Sequence, residues 1–335
     1  MAINTDAIKN EILRYVATKP QVLQAALLSD AIFLRKYTKT VRKVKGEFPS
    51  IQALVSHVVQ TFYSKKFTPY GDISFYKKDL KAYRQKIDFQ LDPADVLGTV
   101  LESEYNETMP REQMSISKMA IEWLKAKIID DVNLLSIIGV YNPASIGSDT
   151  PVFGQSMNGL NKILTDLAAN TVNPAYLIPG DAITDSNTIA AFNNFEKGLP
   201  EGIKPKIKTI FTSISDAENY QMNVLEDYGQ NKFVGDTVKT IIGRREIVGI
   251  PNLTPGTVFA TTQENFLELI DDRENPAEIS DVQVDKRIVN ILGEFSLGYD
   301  FALNQGVFLH TIDSAKDLGL NNATQNKLFY PSQFQ

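Results

Sequence analysis

Two histidines and no cysteines in 335 residues leave little material for chemistry. Without cysteine there is no thiol nucleophile, no thiolate metal site and no disulfide framework. His57 falls in a mixed apolar and basic region, off the local apolar stripe, and reads as a surface residue. His310 sits in the middle of a strand-like run, Val307–Asp313, where a packed or edge histidine is expected. A hydrolytic triad there would need a serine and an aspartate delivered by distant parts of the chain. Asp130 and Asp131 are neighbours on a helical pattern, about 100° apart, and cannot converge on one metal unaided. Asp181, Asp185 and Asn187 lack the glycine and terminal glutamate of a calcium loop. The chain has no glycine-rich phosphate loop, no dinucleotide-binding turn and no pair of helical histidines around a glutamate. The residues therefore predict no catalytic, cofactor-binding or metal-binding site, and a protein that is not an enzyme.

Charge is more informative than motifs. The formal net charge is −6, from 34 basic and 40 acidic residues. Between Arg35 and Lys86, however, thirteen Lys and Arg face three acids (Glu47, Asp72 and Asp79), a local balance of +10 that leaves −16 elsewhere. Such a segment is either a nucleic-acid-binding arm or an arm that docks on the acidic body of another copy. The negative remainder would repel a phosphate backbone, which favours the second. At 43% hydrophobic the composition is globular and allows two subdomains. No apolar run reaches the ~18 residues of a membrane span. The amphipathic start (Ile8, Ile12, Tyr15 and Val16 among charges) is a helix and not a signal peptide, so a soluble protein is expected. The sequons at Asn106 and Asn322 are read as chance.

The elements that would position these groups are organised around the stretch 110–141. From Ile116 its apolar residues fall at Met119, Ala120, Trp123, Leu124, Ile128, Val132, Leu135 and Ile138, steps of three and four that form one helical stripe. Trp123, Leu124, Ile128 and Leu135 are its expected core. Upstream, helices are expected over 3–17, from Pro20 to Leu28, and from Pro49 through Phe62, with Ala31–Val44 extended. A basic excursion follows over 64–91: Ile73–Tyr76 and Ile87–Leu91 alternate as strands, and Lys77, Lys78, Lys81, Arg84 and Lys86 crowd the tip and return arm. An isolated two-stranded hairpin is marginal in water, so this one is either flexible or laid on a neighbouring molecule. Asp92 and Pro93 open a short helix. After a Pro/Gly/Ser-rich boundary at 142–151, helices (157–167, 186–197 and one capped by Ser215 and Glu218) alternate with strands at 207–214, 240–250 and 257–262. Strands over 266–270, 282–291 and 295–301 follow. The run 307–312 is expected to pair back as a hairpin, and residues past Ser314 to thin into a polar tail.

This order of parts resembles the major capsid proteins of tailed bacteriophages, the Hong Kong 97-type fold. The strongest local likenesses are Ile87–Leu101, the long helix, Gly243–Asp271 and Arg287–His310, within a resemblance running from about Asp30 to Ile312. It implies an α+β fold with an N-terminal arm (1–45), a peripheral-domain helix (46–63), an extended β-hairpin loop (64–91), a peripheral domain with the spine helix (92–154), an α/β axial domain (155–262), peripheral strands (263–313) and a tail (314–335). It further implies a virion subunit that forms hexamers and pentamers of an icosahedral shell, with Lys77, Lys78, Lys81, Arg84 and Lys86 at inter-subunit contacts. Portal, scaffolding or decoration proteins would be partners, and double-stranded DNA would be enclosed without sequence-specific binding. An encapsulin-like compartment shares the fold and is the alternative, as is nucleic-acid binding by the segment 35–86.

Overall fold

A computed structural model describes residues 28–334 apart from 43, 63, 93–115, 230–237, 273–276 and 287, together with single positions between 9 and 26. The expected helix after Asp92, with Pro110 and Ser115, lies outside the described residues.

Two five-stranded sheets share one core. The first is built on the long strand β11 (Ile288–Phe301), which pairs with β10 (Glu278–Asp285), β9 (Phe266–Ile270) and β4 (Tyr83–Leu91), all antiparallel; β1 (Lys39–Arg42) runs parallel to β9. The expected single strand 282–291 is broken by a turn at Lys286, whose φ of 57° reverses the chain into β11. Buried Glu268 on β9 fastens the arm to this sheet: it accepts hydrogen bonds from Thr40 (2.8 Å) and Tyr299 (3.1 Å) and lies 3.7 Å from Arg35.

The second sheet has the order β5 (Tyr176–Pro179), β12 (Val307–Thr311), β8 (Val258–Thr261), β6 (Thr209–Ser213) and β7 (Glu246–Ile250). Its strands are apolar on both faces, and the two-residue period divides them between two cores. Tyr176, Ile178, Ile210, Ile247 and Phe308 pack with Phe192, Phe195 and Tyr220. Their alternates Leu177, Phe211, Val248, Phe259 and Leu309 join the core of the first sheet and the long helix. The helices over the outer face are α3 (Thr188–Gly198) and α4 (Ile214–Tyr228). Capping of α4 falls to Ser213, whose Oγ accepts from the Asp216 N–H at 3.1 Å, and not to Ser215.

The long helix, α1 (Ile116–Ile138), has 23 residues and is about 35 Å long. Among its described side chains Ile121, Leu124, Ile128, Val132 and Leu135 are buried. Trp123 is not in that stripe. It lies one position, about 100°, from Leu124 and is 40% exposed. Asn133 ties the helix to the arm, accepting from the Phe33 N–H (2.9 Å) and donating to the Ala31 carbonyl (3.1 Å). The helix α2 (Leu160–Ala169) packs beside it.

Three other expectations are corrected. The segment from Pro49 is no helix: β2 (Glu47–Val55) pairs antiparallel with β3 (Ile73–Lys81). Its apolar residues fit a helical stripe, but strand pairing with β3 satisfies the backbone instead. Pro49 is tolerated because β2 is an edge strand. The hairpin is thus 47–81, while 83–91 belongs to the first sheet. Second, β12 does not fold back on β11. A 3-10 turn at Asn304–Gly306 sends it into the second sheet, parallel to β5. Third, the C-terminal stretch is no tail. Asn322 caps α5 (Ala323–Phe329), Leu320 and Tyr330 are buried, and the Tyr330 ring meets Tyr176 edge-on at 4.9 Å.

Candidate functional site

The five basic residues singled out above are in or beside the hairpin, and each has a partner within the chain. Lys77 pairs with Asp79 (3.1 Å), Lys81 with Glu47 (2.8 Å), Arg84 with Glu294 and Lys86 with Asp88. The hydrogen bond from Lys81 to Glu47 raises the lysine's pKa. Lys78 reaches Asp300 at 2.6 Å and donates to the Phe301 carbonyl at 3.0 Å. Strand alternation explains the difference between Lys78 and its neighbours. One face of the hairpin carries Ser50, Tyr76, Lys78 and Leu80, and it lies on the chain's own body. Ser50 donates to the Ala302 carbonyl (3.1 Å), Tyr76 meets the Phe329 ring (5.0 Å), and Leu80 is fully buried against Leu267 and Leu269.

The opposite face is open: charged at its base, where Glu47, Lys77, Asp79 and Lys81 lie, and apolar in its outer half. The register pairs Val55 with Ile73 and Ala53 with Phe75, with Ile51 next in line. All of these are exposed, Phe75 by 71%. The tip beyond them adds Val58, Val59, Phe62 (89%) and Phe67 (90%). Exposed apolar side chains gathered in this way on the outer half of a two-stranded ribbon mark a place where another surface lands. Sequence reasoning assigned contact to the lysines. The signal for the apolar face was the alternation of Ile51, Ala53 and Val55, which the helical reading concealed.

A groove of about 1050 Å³ lies between β4, α1 and the loop 141–156. Leu124, Ile128 and Leu135 are among its walls, with exposed Ile146, Val152 and Phe153 at the loop side. Its carboxylates are engaged: Glu47, Asp88, Asp131 and Glu294 each hold a lysine or arginine. Burial lifts the Tyr83 hydroxyl to about 12, too high to act as an acid or base near neutrality. His310 is buried on β12 with Nε2 3.1 Å from the Asp181 carbonyl, a main-chain partner that gives no triad, and burial lowers its pKa. Among the described residues no three His, Asp or Glu are grouped to hold a metal, and no helix is long and apolar enough to cross a membrane.

Neither a family model nor a curated protein matches the sequence. Solved structures do match. The satellite phage P4 procapsid chain aligns over 90% of this chain and 99% of its own, at 12% identity and a TM-score of 0.52. The capsid of Myoviridae phage XM1 aligns over 84% and 91%, at 10% identity and a TM-score of 0.52. The capsid of the native GTA particle aligns over 84% and 90%, with the same identity and score. Each likeness covers at least 84% of this chain and 90% of the solved chain. The chain has the Hong Kong 97-type fold of phage capsid subunits.

Proposed function

We propose that this chain is the major capsid subunit of a tailed bacteriophage, a structural protein that assembles with itself into hexamers and pentamers of an icosahedral shell around packaged double-stranded DNA. The observation that carries the reading is the apolar outer half of the open face of the 47–81 hairpin, on a fold shared over nearly full length with capsid chains. In this reading the sheet around β11 and the long helix form the peripheral domain, and the sheet of β5 to β8 with β12 forms the axial domain. The hairpin lies across an adjacent copy. Contact is made by Ile51, Val55, Ile73, Phe75 and the tip phenylalanines, while Lys78 and Leu80 hold the hairpin to its own subunit. Shells repeat one contact many times, so a modest apolar patch suffices. Portal and scaffolding or decoration proteins are further partners, and the virion is the final location. No catalytic step is assigned, because every carboxylate in the large groove is occupied by a cation and the one buried histidine faces a carbonyl.

Negative-stain electron microscopy with light scattering on the purified protein tests this. Closed shells, or rings of five and six, are the expected result. A chain that stays monomeric even with its co-expressed scaffold and portal would refute it.

A further inference from the structure

At the end of the second sheet from which β6 and β7 start, the chain gathers a basic cluster outside the 35–86 segment. A cleft of about 450 Å³ there is lined by Lys204, Lys208, Arg244 and Arg245 and by no carboxylate. Two of these cations are committed. Arg245 donates to Glu196 (2.7 Å) and to the carbonyls of Ile207 (3.2 Å) and Lys204 (2.9 Å), and Lys204 donates to the Lys197 carbonyl (3.3 Å). Lys208 and Arg244 are exposed and make no ion pair with any described residue.

The turn that presents Arg244 is held from beneath. Buried Glu196 accepts from the Thr240 hydroxyl (2.6 Å), the Gly243 N–H (2.9 Å) and Arg245. Thr240 in turn accepts from the Arg245 N–H at 3.0 Å. A Cβ at Gly243 would stand 1.8 Å from the Arg245 guanidinium, so a side chain there would require Arg245 to move. Arg244 itself sits at φ 51°, a left-handed conformation that a long side chain rarely adopts and that persists only where its surroundings fix it. The Glu196–Arg245 pair neutralises itself and leaves Lys204, Lys208 and Arg244 to set the charge of the cleft.

We infer that this cleft is a phosphate-binding site, with Lys208 and Arg244 as the ligand-contacting cations and the Glu196–Arg245–Gly243 network as the frame that positions them. A guanidinium and an ammonium lining one cleft match the charge of a phosphate group. The phosphate can belong to a free polyphosphate or to a nucleic-acid backbone. The inference does not depend on shell assembly.

The test compares the full chain with a double variant, Lys208→Gln with Arg244→Gly. Glycine accepts the left-handed turn without strain, so the variant keeps its fold. Binding of inorganic pyrophosphate and of a short DNA duplex is measured at about 50 mM salt, where phosphate contacts are strong. The expected result is pyrophosphate binding that the double variant loses by about tenfold or more, about 1.4 kcal/mol. A parallel loss of duplex binding identifies a nucleic-acid backbone as the source, whereas duplex binding unchanged by the variant identifies a free phosphate compound. Absence of pyrophosphate binding by the natural chain, or equal binding by the variant, overturns the inference.

Discussion

Lys78 and Asp300 stand 2.6 Å apart, joining the root of an exposed hairpin to the end of the central strand of the first sheet. Both side chains are mostly buried, and Lys78 also donates to the Phe301 carbonyl. Removing one partner leaves the other charge in a partly dry site. Lys78→Ala is therefore expected to lower stability by about 1–3 kcal/mol. The double variant with Asp300→Ala should cost less than the sum of the two singles. Urea denaturation of the four proteins in the cycle measures this, and strict additivity would mean that the contact carries no coupling.

The open face of the hairpin should matter for assembly and not for folding. Phe62→Asp with Phe75→Asp alters two exposed side chains, and exposed substitutions of this kind usually shift stability within about 0.5 kcal/mol. The double variant is expected to melt like the natural chain and to form no shells by light scattering. Normal shells from it would remove the apolar face from the contact.

Along the long helix, adjacent residues should behave oppositely. Leu124→Ala opens a hole in the main core and should lose about 2–5 kcal/mol. Trp123→Ala, at 40% exposure, should lose about 1 kcal/mol or less. Thermal melts of the pair decide whether the stripe has been placed on the correct face.

His310 predicts an acid sensitivity. Burial lowers its pKa below 6.5, an effect larger than the upward pull of the Asp181 carbonyl and carboxylate. Between the unfolded pKa of about 6.5 and the lower folded value, the unfolded chain binds the proton and the native chain does not. Stability contributed by the neutral ring is thus complete above that range and is lost as pH falls through it. The drop in urea midpoint from about pH 7 to pH 5 should be smaller in His310→Gln. Identical drops would assign the acid sensitivity to other groups.

Three strands of the second sheet, β6, β7 and β8, were legible in sequence as short apolar runs, such as Glu246–Ile250 before Pro251 and Val258–Thr261 after Gly256, whereas β5 was not expected and β12 was assigned to a hairpin. The long helix was legible from a different local signal, apolar residues at steps of three and four. The hairpin was not. Ile51, Leu54, Val55, Val58, Val59 and Phe62 fit a 3.6-residue stripe, and only pairing with a strand more than fifteen positions away selects the two-residue period. The lysines misled in a related way. Lys78 and Arg84 find Asp300 and Glu294 across more than two hundred positions, so a segment that is basic in sequence is partly neutralised in space. The cleft at Lys208 and Arg244 was invisible for the opposite reason, since neither of its two segments is long enough to register as a charge run.

The crossing of β12 into the centre of the second sheet has a consequence for how the chain is made. The order β5-β12-β8 leaves a gap between β5 and β8 until residues 307–311 have been synthesised. The second sheet therefore closes only after residues 307–311 have joined β5, whose own residues lie far upstream at 176–179. Interrupted chains remain open at that seam.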